Sequence, residues 1–322
     1  MKEEIILSQE QIKSISSLIE ENNREVPLFY EGDVCEIIYV PVDGAELRVF
    51  HHKPKNPLTQ RPILFVSGFG TSPWSWRHFN TVMYEKGEYY FLETREKSSS
   101  KFLTKRRKTK MSIDQNAKDL AQVIKYLGLD KSDFLLFGTS YCGAIILVGL
   151  ANKYFTAPII AIHDPLESWK VQRRMLLFFF YIPPFVLSFL KMPFARLILL
   201  GLKNKAAKKR YLDFVRNATV WKWIRSGWHN FSFKIDKYLP LINEEVLVLH
   251  GTKDRYHNDE VFENIARNLP KGRYFYMDSP NEFRELIVGI FALELAKKSQ
   301  KEDISDSFKV FEYKLKEVIQ NS

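Results

Sequence analysis

The chain has 322 residues, of which 45% are hydrophobic and 27% are charged. This composition is typical of a globular protein with a large core, and it excludes a disordered or fibrous chain. The formal net charge is +10, but no nucleic-acid-binding motif accompanies it, so we expect no nucleic-acid partner. Two cysteines, Cys35 and Cys142, are too few for a disulfide framework.

Much of the positive charge lies in two runs. Six of the ten residues in Lys101–Lys110 are cationic, as are five of the eight in Lys203–Arg210. Two interpretations fit these runs: solvated loops, or attraction to an anionic membrane surface or acidic ligand. The N-terminal segment MKEEIILSQEQIKS has no apolar region of the signal-peptide kind, which predicts a cytoplasmic protein, with peripheral membrane contact as the variant.

Helix and strand signals alternate along much of the chain. Ser8 and Gln11 form a capping-box pattern before a short helix, and Asp43-Gly44 joins two apolar strands as a hairpin. A second helix is predicted from Ser112, with Gln115 completing a capping box and Gly128 ending the helix. Short runs that are apolar on both faces predict the strands of a parallel sheet: Ile63–Val66, Phe134–Phe137, Ile159–Ile162, Val246–Leu249 and Tyr274–Tyr276. The alternation predicts an α/β fold with a doubly wound, mostly parallel sheet.

One segment, Leu166–Pro240, has no strand signal and consists of apolar, aromatic helical sequence interrupted by prolines. We interpret it as an inserted helical cap that packs in the ordinary way, covers an active site, or rests on a membrane. Its most apolar part, Met175–Leu190, is too short to span a bilayer. The predicted organisation has four parts. These are an N-terminal helical extension (1–30), a core in two pieces (31–165 and 241–299), the cap (166–240), and a tail (300–322) with an amphipathic helix over Phe308–Ile319.

A serine motif follows one of the apolar strands. Residues 134–143 read FLLFGTSYCG, in which small residues flank Ser140 between the strand and a helix. A nucleophile at such a turn has a strained backbone, so bulky neighbours would collide with it. The pattern predicts that the Ser140 hydroxyl projects from the end of the sheet above a helix N-terminus.

With this motif and a helical cap after the sixth strand, the chain resembles the α/β-hydrolases from about Glu36 to Lys298. The resemblance implies that Ser140 is a nucleophile and that Ser67–Gly70 forms the oxyanion loop. By the same similarity, the backbone amides of Phe69 and Tyr141 would form the oxyanion hole. One such donor contributes about 3–4 kcal/mol to transition-state stabilisation.

The family's catalytic acid usually ends the seventh strand, and VLVLHGTKD at Val246–Asp254 matches that pattern, so Asp254 is the predicted acid. Asp164, after the preceding strand, holds an alternative acid position, or else begins the cap. The resemblance also places a glycine-rich turn after the fourth strand, where this chain has LETREKS at Leu92–Ser98. That departure indicates a relaxed or specialised function.

The family's catalytic histidine normally follows the eighth strand, but that loop is missing from the pattern here. The strand runs into Ser279-Pro280-Asn281-Glu282, which predicts the start of a helix with Ser279 as its N-cap. No histidine occurs after His257. His257, three residues past Asp254, is the best substitute base. His163 and His250 stand at strand ends, where we expect a pocket-lining and a structural role.

Two functions fit the sequence. The first is a serine hydrolase that cleaves a lipophilic acyl ester with an atypical triad of Ser140, Asp254 and His257, and with no metal or cofactor. The second is a catalytically silent relative that keeps the fold as a ligand-binding or scaffold module. The serine turn favours the first, and the missing histidine loop favours the second, because a serine without a base is a poor nucleophile.

Overall fold

The computed structural model describes residues 6–27, 34–169, 174, 176–177, 181–201, 205–251, 259–297 and 302–315. Within these ranges one mixed sheet contains ten strands, in the order β1-β2-β4-β3-β6-β7-β8-β9-β10, with the short β5 paired to β2. Their bounds are β1 Glu36–Val42, β2 Ala45–His52, β3 Ile63–Val66, β4 Tyr89–Leu92, β5 Lys101–Phe102, β6 Leu135–Thr139, β7 Ile159–His163, β8 Val246–His250, β9 Gly272–Tyr276 and β10 Glu312–Tyr313.

The six central strands, from β4 through β3, β6, β7 and β8 to β9, are parallel. Every residue of β3, β6 and β8 is buried, which explains why these runs are apolar on both faces. Strands β1 and β2 and the C-terminal β10 are antiparallel additions at the two edges. The doubly wound, mostly parallel sheet predicted from the sequence is confirmed.

Helices cover both faces of the sheet. One hydrophobic cluster packs α3 (Ile113–Tyr126), α4 (Tyr141–Ala151) and α8 (Asp259–Asn268) against one face. A second cluster packs α1 (Gln9–Asn22), α2 (Arg77–Met83) and α9 (Arg284–Lys297) against the other. The core therefore lies in two layers on either side of the strands.

Two of the predicted helix starts differ in their capping. At Ser8 both bonds of the capping box form, between its side chain and the Gln11 N–H and between the Gln11 side chain and the Ser8 N–H. At Ser112 only the first bond forms, and the predicted box is wrong because the Gln115 amide donates to Asp119 instead, at 3.1 Å. The hairpin turn is present, with Gly44 at φ 68°.

The described part of the segment 166–240 is mainly helical and includes α5 (Pro184–Leu199), α6 (Lys205–Asn217) and α7 (Val220–Asn230), and the described residues 174, 176–177 and 181 are helical as well. A single β-bridge joins Ser168 to Lys234, where the chain leaves the sheet and returns to it. None of the helices in the described ranges combines the length and the hydropathy that crossing a membrane requires.

Two predictions near the C-terminus are wrong. Helix α9 begins at Arg284, and Ser279 is not its N-cap, because the Ser279 N–H donates to the Gly251 carbonyl at 3.2 Å and ties residues 277–283 to the end of β8. The tail does not form a helix over Phe308–Ile319 in its described part. A single helical turn, α10 (Asp306–Lys309), leads into β10, because the side chains of Phe308 and Phe311 are buried in the core.

Candidate active site

The site lies in the crevice between β3 and β6, where the strand order changes direction. The chain leaves β3 toward α2 on one face of the sheet and leaves β6 toward α4 on the other. Helices that depart to opposite faces leave a gap beyond the carboxyl ends of two adjacent strands, which is where ligands bind in open α/β sheets. The Ser67–Gly70 loop and Ser140 border this gap.

Ser140 forms the sharp turn that its sequence predicts. Its φ of 50° and ψ of −118° lie outside the ordinary helical and strand regions, directly between β6 and α4. Its N–H donates to the His163 carbonyl at 2.8 Å, and its own carbonyl accepts from the Leu166 N–H at 3.0 Å. The end of β7 and the residues that follow it therefore hold the strained backbone of Ser140. Ser140 is partly exposed.

Small residues make this turn possible. A Cβ on Gly138 would lie 2.4 Å from Ile146 Cδ1, and one on Gly143 would lie 3.1 Å from Pro165. Cys142 fits where relatives have glycine, because its thiol turns away and donates to the Ser67 carbonyl at 2.9 Å. Burial raises the pKa of this thiol, which marks it as a structural contact and not a nucleophile.

The loop after β3 lies against the serine. A Cβ built on Gly68 would stand 3.4 Å from Ser140 Cβ, and the Gly68 N–H donates to Thr139 Oγ1 at 2.9 Å. The Phe69 and Tyr141 rings meet edge to face with centroids 5.3 Å apart. Among the described residues, the N–H groups of Phe69 and Tyr141 have no hydrogen-bond acceptor. Two free amides thus lie in the segments that flank the serine.

A buried polar segment supports the Ser67–Gly70 loop. Residues 93–97 are each less than 5% exposed, although all five are polar. The Lys97 ammonium donates to the Gly68 carbonyl and, at 2.8 Å, to the Thr71 carbonyl. Glu96 accepts from the Gly70 N–H at 3.3 Å and from the Thr94 hydroxyl at 2.9 Å. The LETREKS sequence therefore replaces the family's glycine turn with ion pairs that fix the loop next to Ser140.

The cap helix α7 is hydrogen-bonded to the same buried segment and to Ser100. Lys222 on α7 is 3% exposed, and its ammonium donates to the Lys97 carbonyl at 2.5 Å and to the carbonyl and hydroxyl of Ser100 at 2.9 and 2.7 Å. Burial lowers the pKa of Lys222 to about 8, against the attraction of Glu96 and Glu93. The cap and the Ser67–Gly70 loop therefore share one buried network.

An apolar cavity of about 490 Å³ lies between the cap and Phe69. Phe69 contacts Trp169 and Trp223 with ring centroids 5.2 Å away, and these rings form the wall nearest Tyr141. Ser140 is not part of the lining, so the cavity borders the serine through Phe69. The other lining residues are Leu176, Leu187, Leu190, Lys191, Phe194, Ile198, Val215, Ala218, Val220, Ile224 and Gly227.

A second cavity, of about 540 Å³, is lined in part by Gly70, and its lining mixes apolar rings such as Trp74 with the charged side chains of Glu96, Lys97 and Asp213. Trp223 lines both cavities. The two volumes fall within the range of small-molecule sites. The Ser67–Gly70 loop therefore lies between an apolar compartment and one of mixed character that contains charged side chains.

Two histidines share the carboxylate of Asp164 at the carboxyl ends of β7 and β8. His250 Nδ1 lies 2.6 Å from one Asp164 oxygen, and His163 Nε2 lies 3.4 Å from the other. Burial raises the pKa of this carboxyl, but the two imidazoles outweigh that effect and hold the pKa below its ordinary value. The sequence interpretation gave His250 a structural role only. The repeated pattern of an apolar run ending in histidine, IIAIHD and VLVLH, was the signal for this cluster.

The predicted site residues have different outcomes. The structure brings Ser140, Phe69 and Tyr141 together around the crevice. Asp254 and His257 lie outside the described residues, and their roles stay predictions. Residues 277–283, which connect β9 to α9, contain no histidine.

The sequence matches no protein-family model. It also matches no curated protein. Solved structures with a similar fold include a bacterial membrane phospholipase A described as a virulence factor, with 19% identity over 83% of this chain and 84% of that chain and a TM-score of 0.56. An esterase from Exiguobacterium antarcticum has 17% identity over 80% of this chain and 97% of its own, with a TM-score of 0.60. A bromoperoxidase from Bacillus anthracis has 14% identity over 81% and 98%, with a TM-score of 0.58.

The sheet, the turn at Ser140 and these similarities agree on one class. The chain has the α/β-hydrolase fold. Identities this low establish the fold alone, and the bromoperoxidase among the similar structures illustrates that one fold hosts different reactions.

Proposed function

We propose that this protein is a serine hydrolase that cleaves esters of lipophilic acids. The observation that carries the proposal is the position of Ser140, on a strained turn that borders an apolar cavity of about 490 Å³ through Phe69, together with the Phe69 and Tyr141 amides, which have no acceptor in the described part of the chain. Esterases and a phospholipase among the structures of the same fold support ester hydrolysis as the reaction.

In the proposed reaction, Ser140 Oγ attacks the ester carbonyl carbon as a base takes its proton. The carbonyl oxygen becomes an oxyanion, which the N–H groups of Phe69 and Tyr141 stabilise. The tetrahedral intermediate collapses as the base returns the proton to the leaving alcohol, and Ser140 keeps the acyl group. Water, activated by the same base, then releases the acid.

The acyl group would occupy the apolar cavity. Its lining is almost entirely hydrocarbon, and Lys191, the charged exception, directs its ammonium to the carbonyls of Arg216 and Ala218 at 2.8 Å each. Such a lining favours an alkyl or aryl chain, because burial of apolar surface is favourable without a polar partner.

Two histidines are candidates for the base that takes the Ser140 proton. His257 with Asp254 remains the pair predicted from the sequence. His250 with Asp164 is the pair in the described part of the chain, at the same end of the sheet as Ser140. His250 is 1% exposed and packs on Phe262 at 4.4 Å, which favours a structural role for that imidazole.

A catalytically silent binding module is the second candidate. The observation that favours it is the short connection of residues 277–283, which has no histidine where related enzymes carry their base. Loss of the histidine of such a triad lowers the rate about 10⁶-fold in a well-studied protease. In this case the apolar cavity would hold a ligand that Ser140 does not attack.

A fluorophosphonate probe distinguishes the two candidates, because it reacts covalently only with an activated serine. We expect wild type to be labelled, Ser140→Ala to be unlabelled, and Ser188→Ala, which removes an exposed cap serine, to be labelled like wild type. We also expect wild type to hydrolyse nitrophenyl octanoate faster than the acetate. An unlabelled wild type would support the silent module.

Two further variants identify the base. His257→Ala and His250→Ala are labelled side by side, with the circular dichroism of each compared with wild type. Labelling that is lost in only one folded variant assigns the base to that histidine. Full labelling of His257→Ala would contradict the triad predicted from the sequence.

A further inference from the structure

Helix α5 presents an exposed apolar surface, here called the α5 face, made of Phe185, Phe189, Phe194, Leu197 and Ile198. These side chains are between 56% and 81% exposed. Positions 185, 189 and 197 lie in one row of the helix surface, and positions 194 and 198 lie beside it, because residues four apart share a face. Tyr181 before the helix and Leu200 after it are 86% and 79% exposed and extend the surface. Single exposed apolar residues are normal, but a continuous set of this size marks an interaction site.

The positive charge of the protein is concentrated in the same segment. Residues 166–240 contain 15 Lys and Arg but 3 Asp and Glu, a net charge of +12. The rest of the chain contains 33 Lys and Arg and 35 Asp and Glu, a net charge of −2. Arg196 on α5 is exposed, and so is Lys209 on α6. The two helices are in contact, because Lys191 on α5 donates to the carbonyl of Arg216 on α6. The exposed apolar face therefore belongs to the cationic segment of the chain, with Arg196 on the same helix.

We propose that the α5 face docks on an anionic membrane surface, with its aromatic and aliphatic side chains in the interface and the cap cations on the lipid headgroups. Binding to such a surface grows with the apolar area that enters the headgroup boundary and with the attraction between cations and anionic lipids. At 16 residues α5 is shorter than the roughly 20 residues that cross a bilayer. A second copy of the chain fits the face poorly, because contact between two caps would bring two charges of +12 together.

The apolar cavity opens toward the same surface. Phe194 and Ile198 line the cavity and also belong to the α5 face, where they are 58% and 56% exposed. A hydrocarbon chain in the interface would therefore meet the cavity mouth without passing through bulk water. Docking itself does not depend on Ser140 or on hydrolysis.

Co-sedimentation with vesicles tests this docking. The vesicles contain phosphatidylcholine with or without phosphatidylserine, and the fraction of bound protein is measured at low and high salt. We expect wild type to bind the phosphatidylserine vesicles and to be released by salt, because salt screens the attraction between the cap and the headgroups. The variant Phe185→Ser/Phe189→Ser/Leu197→Ser should bind about tenfold or more weakly.

Matched controls separate the α5 face from exposed apolar surface in general. Leu58→Ser/Tyr126→Ser/Val310→Ser removes three side chains that are 52–63% exposed outside the cap, and it should bind like wild type. Arg196→Gln/Lys209→Gln should weaken binding to phosphatidylserine vesicles only. Ser140→Ala should bind like wild type, so loss of activity and loss of docking are distinguishable.

Three outcomes would overturn the proposal. In the first, wild type does not bind the vesicles. In the second, the α5-face variant binds like wild type while neutralising residues 105–108 abolishes binding, which would assign the contact to that basic run. In the third outcome, ultracentrifugation shows a wild-type dimer that the α5-face variant converts to a monomer with unchanged vesicle binding, and a second copy is then the occupant.

Discussion

Two residues of the site, Ser140 and Asp164, have a strained backbone at the ends of neighbouring strands. Their φ angles are 50° and 46°, and such angles cost a non-glycine residue about 1–2 kcal/mol. The Asp164 N–H donates to the Leu249 carbonyl at 3.1 Å, so β8 holds Asp164 as β7 holds Ser140. Strain that neighbouring strands maintain in this way clusters at functional sites. Here it turns Ser140 toward the crevice and Asp164 toward two imidazoles.

Gly70 and Gly128 form a matched pair for testing the packing of the Ser67–Gly70 loop. Both have positive φ, at 66° and 70°, so alanine at either position should cost about 1–2 kcal/mol in the free energy of unfolding. A Cβ on Gly70 would also lie 2.5 Å from Trp223 and 2.6 Å from Phe214, whereas a Cβ on Gly128 meets nothing within 4 Å. Overpacking should therefore add about 1–3 kcal/mol for Gly70→Ala alone.

Urea unfolding of the two variants measures this difference, and fluorophosphonate labelling measures its effect on the site. Gly70→Ala should label more slowly than wild type, because its side chain displaces the wall that positions Phe69. Equal destabilisation of the two variants would contradict the packing seen around Gly70.

At the scale of the elements, the C-terminal strand β10 completes the sheet and is part of the core. It pairs with β9, and the Arg273 guanidinium on β9 bonds both Glu312 oxygens at 2.7 Å. Phe308 and Phe311 enter the cluster beneath α9, where they are 6% and 2% exposed. An amphipathic pattern in the sequence predicted a helix here, but pairing with the free edge of β9 overrides the local preference.

Phe311→Ala should therefore lower the free energy of unfolding by about 3–5 kcal/mol, because the removed ring leaves a cavity in a packed core. Val310→Ala, at a neighbouring position that is 52% exposed, should change it by less than about 0.5 kcal/mol. Denaturant unfolding of both variants is the measurement. A small effect of Phe311→Ala would show that the tail contributes little to the core.

At the scale of the whole molecule, the cap and the sheet are joined through polar contacts that long stretches of chain separate. Lys222 reaches the carbonyls of residues 97 and 100, and Asn230 bonds the backbone of Ile113 and Met111 at 2.9 and 3.1 Å. Met111 also donates to His229 at 2.8 Å. These buried contacts hold the cationic cap against residues 97–113, while the α5 face remains exposed.

The stability of this junction should depend on pH. The pKa of Lys222 is about 8 in the folded protein against an ordinary value of 10.5. Between these values the unfolded state binds more protons, so the contribution of Lys222 to the free energy of unfolding rises with pH, by at most about 1.4 kcal/mol per pH unit. Below about pH 8 the buried lysine is charged in both states and the contribution is constant.

Comparison with Lys222→Met, whose side chain has a similar length but no charge, isolates the contribution of Lys222 to the pH dependence of stability. Unfolding of both proteins in urea from about pH 7 to about pH 10 should show the stability of wild type rising relative to the variant. Other lysines and tyrosines titrate alike in the two proteins and cancel. A difference that does not vary with pH would contradict a lowered pKa for Lys222.

The sequence by itself determined the parallel sheet, the Asp43-Gly44 hairpin and the turn at Ser140, because these follow from local patterns: apolar runs, turn residues and small residues next to a strained serine. Only the tertiary structure decided the burial of residues 93–97, the shared carboxylate of Asp164, the edge strand of the tail and the exposed face of α5. Each of these depends on partners far away in the chain, as Lys222 and Ser100 are 122 residues apart. Hydropathy reports whether a residue can be buried, but the folded arrangement decides which polar group finds a partner and which apolar helix face stays without one.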